Sequence, residues 1–192
     1  MQINEDFAKW FGLILSDGHI RLRCLEFYNK EETILKEFET LTARLFNLRT
    51  KRNQPTKTRR VIAVQVNSAE LIRNLNNEFK ISEIKKGYYG LPEEFMNSNN
   101  AIKAKLLQGL FDGDGSAVYN KKHHIRCVAL ASAKPKILRD VSKCLSDLGI
   151  KNRIDYKYGK VIVSRKTDIS KFHEVISFTH PKRLEKLLLL VS

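Results

Sequence analysis

"LFDGDGSAVY", residues 110–119, closes an apolar stretch with the consecutive residues Asp112, Gly113, Asp114 and Gly115, and its reading decides the fold. Taken alone, the stretch fits a cation-binding loop, a phosphotransferase nucleophile or the acidic end of a paired-helix nuclease site. A calcium loop of the EF-hand type needs Gly at position six and a bidentate Glu at position twelve. Counted from Asp112 these positions hold Ala117 and His123, so that reading fails.

The stretch has a partner upstream. "FGLILSDG" (11–18) and "QGLFDGDG" (108–115) share the pattern x-G-L-x-x-x-D-G, with Asp17 and Asp114 half the chain apart. The likeness continues as "RCLEFYNKEETIL" (23–35) over "RCVALASAKPKIL" (126–138), then "LFNLRTKR" (45–52) over "LGIKNRI" (148–154), then a valine-rich run in each half. The chain reads as two diverged copies of one unit, with the join in "YYGLPEEFMNSNNA" (88–101), where Gly, Pro and an Asn/Ser cluster break periodicity. This puts one unit at residues 1–96 and the other at 97–192.

Each copy has the pattern helix, strands, helix, strands, helix, an α+β fold. Phe7, Trp10, Phe11 and Ile14 recur at helical spacing, and Gly18 is expected to end that helix in a left-handed conformation. "HIRLRC" (19–24) alternates apolar with basic residues as one strand would, and "IDYKYGKVIVS" (154–164) reads as a hairpin turning at Gly159. Helices over 31–46 and 135–148 carry one apolar face each, to cover the backs of the sheets.

Composition narrows the partner. Lys and Arg number 35 against 21 Asp and Glu, a formal charge of +14. Residues 1–96 carry 16 basic and 13 acidic side chains, residues 97–192 carry 19 and 8, so the second half is the more basic by far. Such an excess favours a polyanion, because each basic group that neutralises a phosphate releases counterions. Cys24, Cys127 and Cys144 form no CxxC pair, which argues against a disulfide framework or a cysteine zinc site and for buried thiols in a reducing compartment. "MQINEDFAKW" has no basic start followed by an apolar run, so a cytoplasmic location is expected. The histidines His19, His123, His124, His173 and His180 have no metal-ligand spacing.

A haloacid-dehalogenase phosphotransferase also carries hydrophobic-D-x-D-G-S, but after the first strand of a parallel fold and with further acids. The first copy has Leu15 where its first aspartate would stand. Helix-ending Asp-Gly turns are a common purely structural use of these residues. Two of them set a carboxylate against the negative end of a helix dipole, an unfavourable placement of about 0.3–1 kcal/mol each. If Gly12 and Gly109 let the two helices pack closely, Asp17 and Asp114 meet, and a hard divalent cation relieves their repulsion.

The doubled G-L-x-x-x-D-G, with "GLPEEF" ahead of the second copy, resembles the LAGLIDADG homing endonucleases in their single-chain, two-motif form, over essentially the whole chain. The first motif departs from the family name at Trp10, Phe11 and Leu15, whereas the second keeps Asp112; those positions serve packing. The resemblance implies two αββαββα units packed through their motif helices, with antiparallel saddle-shaped sheets in the major groove of a long DNA target. It implies a monomer that cuts both strands to leave staggered 3′ ends, encoded in an intron or left from an intein. Mg²⁺, with Mn²⁺ able to substitute, would be held by Asp17 and Asp114 with the preceding residues Ser16 and Gly113.

Further roles follow from the same resemblance. Asn29 and Ser132 would order solvent at the metals, and a lysine near each scissile phosphate would be Lys85 or Lys86 in one half and Lys182 in the other. Phosphate contacts would come from Lys30, from "RTKRNQPTKTRR" (Arg49, Lys51, Arg52, Lys57, Arg59, Arg60), from Lys121 and Lys122, and from Arg165. Base reading would fall to outward strand residues, Arg21, Arg23, Gln65, Arg126 and Lys157. The alternative is a non-cleaving binder of the same fold, an RNA maturase or a DNA-binding regulator; retention of both motif aspartates favours the enzyme.

Overall fold

The computed structural model describes residues 1–53, 61–120, 122–123 and 125–192. The first unit runs α1 (Glu5–Asp17), β1 (Gly18–Ile20), β2 (Cys24–Asn29), α2 (Glu32–Phe46), β3 (Thr50–Asn53), β4 (Ile62–Asn67), α3 (Ala69–Phe79) and α4 (Ile81–Lys85). A linking helix, α5 (Glu93–Met96), precedes the second unit. That unit runs α6 (Asn100–Asp114), β5 (Gly115–Asn120), β6 (Ile125–Ala131), α7 (Pro135–Asp147), β7 (Arg153–Asp155), β8 (Lys160–Val163), α8 (Lys166–Val175) and α9 (Pro181–Val191). Each unit holds a four-stranded antiparallel sheet, in the orders β1-β2-β4-β3 and β5-β6-β8-β7. The α+β architecture and its repetition are those the sequence implies.

The two motif helices lie at the centre. Asn4 and Asn99 cap them, each side chain accepting from the backbone N–H three residues on, Phe7 and Ile102. From Phe7 to Leu15 every residue of α1 is buried, as a helix between two layers must be. A Cβ at Gly12 would stand 2.3 Å from the Leu106 carbonyl oxygen, and one at Gly109 would stand 2.2 Å from that of Lys9. The backbones therefore touch where only glycine fits. Around this axis the first unit packs Phe7, Trp10, Phe11, Phe38, Phe79 and Phe95, and the Trp10 indole N–H donates to Thr42 Oγ1 at 2.8 Å. Phe111, Phe172 and Phe178 play the same part in the second.

Four local expectations are corrected. Gly18 has φ −81° and ψ 145° and Gly115 φ −82° and ψ 165°, both extended rather than left-handed. Their glycine is required because a Cβ would meet the Ile14 and Phe111 carbonyl oxygens at 2.5 and 2.4 Å, so each motif helix passes straight into the first strand of its sheet. "HIRLRC" is not one strand: β1 ends at Ile20 and β2 starts at Cys24, so Arg21 and Arg23 sit in the hairpin turn between them. Alternation is common to a strand and to a tight turn with one exposed apolar residue, here Leu22. Likewise β7 stops at Asp155, and Lys157 lies in the turn before Gly159, which does take a positive φ of 59°. Of the cysteines only Cys144 is buried; Cys24 and Cys127 are half-buried. No helix among the described residues is long and apolar enough to cross a membrane.

Candidate active site and nucleic-acid interface

Because the helices touch at Gly12 and Gly109, their C-terminal ends converge. A Cβ at Gly113 would lie 3.1 Å from Asp17 Oδ2 and 2.0 Å from Ser16 Oγ, so the last turn of one helix rests on that of the other. Burial, and after it the charge of Asp114, pushes the Asp17 carboxyl up to about 6, against a hydrogen bond from Asn29 and the charges of Arg183 and Lys85. Asp114 is also raised by burial, opposed by Lys85, Lys134 and Arg183. The two carboxylates meet at one site, ringed by cations.

The unfavourable placement against the helix dipoles is offset by two residues. Lys85 Nζ donates to the carbonyl oxygens of Ile14, Leu15 and Ser16 at 3.2, 3.0 and 3.3 Å. Arg183 does the same for the other helix, donating to Phe111 O at 2.8 Å, to Asp112 O and to Gly113 O at 2.7 Å. A cation at a helix C-terminus is stabilising, and each of these also gives the carbonyls of the last helical turn a donor, Ile14 O and Phe111 O accepting in addition from the N–H groups of Gly18 and Gly115. Burial, and then the charge of Lys134, lowers Lys85 to about 8. Of the two candidate lysines, Lys85 is the one at the helix ends, whereas Lys86 is exposed and lies 3.6 Å from Glu83. Lys182 is also exposed. Sequence reasoning missed its neighbour Arg183, because the parallel between "KK" at 85–86 and "KR" at 182–183 pairs Lys85 with Lys182.

Asn29 Nδ2 donates to Asp17 Oδ2 at 2.7 Å while its Oδ1 accepts from the N–H groups of Lys30 and Glu31. Ser132 keeps the second habit, its Oγ accepting from Lys134 N at 3.2 Å, but makes no hydrogen bond to Asp114. Its place beside that carboxylate is shared by Lys134, another residue sequence reasoning missed. Lys134 lines a small cavity with Ser16, Asp114 and Ser132, and burial lowers its pKa against the charge of Asp114. The first unit has Glu31 at the matching position.

Asp112, expected to serve packing, is fully buried and accepts from Thr179 N at 2.8 Å and His180 N at 3.0 Å. Lys9, held by Glu37 of its own unit, reaches across the unit interface to Thr179 Oγ1 at 2.6 Å, with Asp112 Oδ2 at 3.9 Å. This tether holds the start of α9, the helix that carries Arg183. Burial pushes Asp112, too, up to about 6.

A hard divalent cation fits this donor set. Among the described residues no three His, Cys, Asp or Glu side chains converge. The protein therefore offers two carboxylates, and Mg²⁺ commonly takes one or two carboxylates with waters and substrate phosphates. Of the preceding carbonyls, Ser16 O already accepts from Lys85 and Gly113 O from Arg183, leaving each one lone pair.

The raised carboxyls fix a pH dependence. A group that binds its proton more tightly in the folded chain adds stability below its unfolded pKa, and that stability is lost as pH rises through the folded value. Asp17 and Asp112 therefore stabilise the fold near pH 4 and cease to do so above about 6. We expect thermal melting in EDTA to fall across that window, and added Mg²⁺ to raise the melting temperature more at pH 7 than at pH 5, where protons compete for the site. Equal shifts at both values would remove Asp17 from the metal site.

The sheets leave one face uncovered. Gln65 and Lys51 lie there, in register with Glu26 and His19. Arg21 reaches in from its turn to Glu26 at 3.0 Å. Arg52 is on the opposite face, held by Glu32 and Glu39 of α2 at 2.9 and 2.6 Å, and is withdrawn as a phosphate contact. Arg126 shares the core-side alternation of Val128 and lies over the Tyr119 ring at 5.3 Å, so it is withdrawn as a base reader. Lys157, in its turn, lies 5.3 Å over Tyr158. Arg23, Lys30, Arg49 and Lys122 are exposed, and Arg165 is exposed with Asp168 at 3.4 Å. Lys57, Arg59, Arg60 and Lys121 fall outside the described residues.

Comparison with known proteins agrees with this geometry. The family model described as LAGLIDADG-like domain matches twice, at residues 4–80 and 101–177. The I-DmoI homing endonuclease in complex with DNA and Ca superposes with TM-score 0.64 at 17% identity, over 98% of each chain. Other I-DmoI structures contain target DNA with Mn or Mg. Full-length DUF199/WhiA from Thermatoga maritima superposes with TM-score 0.68 at 19% identity, over 97% of this chain and 59% of that one. At such identities the likeness is one of fold. The replication factor C small subunit of Methanocaldococcus jannaschii is 27% identical over 98% of this chain but only 10% of its own length. Further curated relatives, with names from DNA polymerase to an aminotransferase, are matched over 9% to 22% of theirs.

Proposed function

The chain belongs to the family of LAGLIDADG-like domains, with one copy in each half. From that premise we propose that it is a site-specific, Mg²⁺-dependent endodeoxyribonuclease that cuts both strands of a long duplex target and leaves staggered 3′ ends. The observation that carries this reading is the meeting of Asp17 and Asp114, two raised carboxylates at helix ends capped by Lys85 and Arg183. A pure binder gains nothing from repelling acids beside a polyanion. The cation, when bound, supplies Lewis acidity and an activated water. Asn29 fixes the rotamer of Asp17, while Lys85, Arg183 and Lys134 offer positive charge where a phosphorane develops negative charge.

The same minority segment matches proteins of unrelated activities, which supports reading it as a transferable insert, intron-encoded or left from an intein. The fold is also that of WhiA, which keeps a non-cleaving binder or maturase as the second reading. The test is plasmid carrying the gene's flanking sequence joined without the insert, incubated with Mg²⁺ and with EDTA. One discrete Mg²⁺-dependent double-strand break establishes the nuclease. Tight binding with no cut in Mg²⁺ or Mn²⁺ assigns the binder, with RNA the next ligand to try.

The two half-sites should not be equivalent, because the position of Lys134 is taken by Glu31 in the first copy of the repeat. Replacing Lys134→Met should slow cleavage of one strand by ~10²-fold, the lower end of what losing one charge-stabilising group costs, and so accumulate nicked plasmid. Equal slowing of both strands would assign Lys134 to folding or general binding.

A further inference from the structure

The uncovered faces of the two sheets are built from different chemistry. In the first sheet one row across the strands is His19, Glu26, Gln65 and Lys51. Its groups are already oriented: Glu26 accepts from Arg21 at 3.0 Å and from the Tyr28 hydroxyl at 2.7 Å, and Gln65 bridges Asn53 and Asn67 at 3.0 and 2.8 Å. In the second sheet the corresponding row is Ser116, Ala129, Ile162 and Arg153. By strand alternation Val118, Ile125, Cys127 and Ala131 share that face. Val118 and Ile125 are 37% and 45% exposed. Where the repeat offers Glu and Gln, this unit offers Ala and Ile.

Charge says what covers this face. The apolar patch lies in the half with 19 basic and 8 acidic residues, and Lys160 and Arg153 flank it closely enough to bear on the Cys127 thiol. A basic rim around an apolar floor complements a groove edged with phosphates. On the major-groove edge of duplex DNA the one apolar group is the thymine 5-methyl.

We infer that the second unit reads its half-site by apolar contact of Val118, Ile125 and Ile162 with thymine methyls, and that this half-site is rich in A·T pairs. The first unit reads the other half through hydrogen bonds from the polar row that Gln65 and Lys51 carry. The inference rests on the chain being a duplex-DNA binder and adds which bases each unit takes.

The test is selection of bound duplexes from a randomised library by the full chain in EDTA, followed by replacement of thymidine with deoxyuridine in each half of the selected site separately. The expected result is one A·T-rich half in which each lost methyl weakens binding roughly fourfold, the change for one buried CH₂-sized group, with the other half indifferent. The double variant Val118→Asn, Ile125→Asn alters only exposed positions, so its melting should match the parent, and it should abolish the methyl sensitivity of that half alone. Equal tolerance of deoxyuridine in both halves, or sensitivity that survives in the variant, overturns the inference while leaving a DNA binder. Failure to enrich any duplex overturns the DNA-binding reading and this inference with it.

Discussion

Replacing both motif aspartates, Asp17→Asn with Asp114→Asn, should lower double-strand cleavage by ~10³-fold or more while duplex binding is kept or tightened. Loss of a group that holds charge in the transition state commonly costs about 10²–10³, and here both halves of the cation site go. Binding should improve because two carboxylates at the meeting of the helices repel the phosphates that approach them. Burial raises both carboxyls, so the neutral amides should also raise the melting temperature at pH 7 in EDTA. Gel-shift affinity and plasmid cleavage, read on the same preparation, separate the roles. Misfolded protein would instead give the acids a structural part, through the capping partners Lys85 and Arg183.

The second large effect is expected at the helix crossing. Gly12→Ala should destabilise the chain by about 3 kcal/mol or more, the upper end of what overpacking costs, because the added methyl meets backbone and not a side chain that can turn away. Its nearest atoms would be Leu106 O at 2.3 Å and Leu110 N at 2.9 Å. Gly109→Ala should cost a similar amount against Lys9 O and Leu13 N. Both would splay the helices and draw Asp17 away from Asp114, so activity should fall before the fold is lost. Urea unfolding measures the first effect and cleavage at low temperature the second. A change below about 1 kcal/mol would mean the helices shift apart freely, and the two-aspartate site would then not depend on their contact.

Much of this molecule is legible in one dimension because its repeat is written twice. Gly12 with Gly109 and Asp17 with Asp114 recur in register, and a doubled pattern of residues that are costly at helix ends needs a shared reason. The helices over 31–46 and 135–148 are equally plain, since a single apolar face at helical period is what a helix lying on a sheet requires. The uncovered faces were less legible. Alternation alone could not distinguish the strand face from the turn for Arg21, Arg23 and Lys157, nor show that Arg52 points inward, where Glu32 and Glu39 of α2 hold it.

The sequence by itself determined the two-unit plan, the paired aspartates and the basic partner surface, because each depends on periodicity, spacing or net charge. Only the tertiary structure decided which cations serve the aspartates. Lys85, Arg183 and Lys134 lie 68, 69 and 20 residues from the carboxylates they accompany, Asp17 for the first and Asp114 for the other two. What selects them is how α4, α9 and the start of α7 approach the ends of two touching helices, and a step of one residue, forward from Lys85 or back from Arg183, leaves Lys86 or Lys182 in solvent.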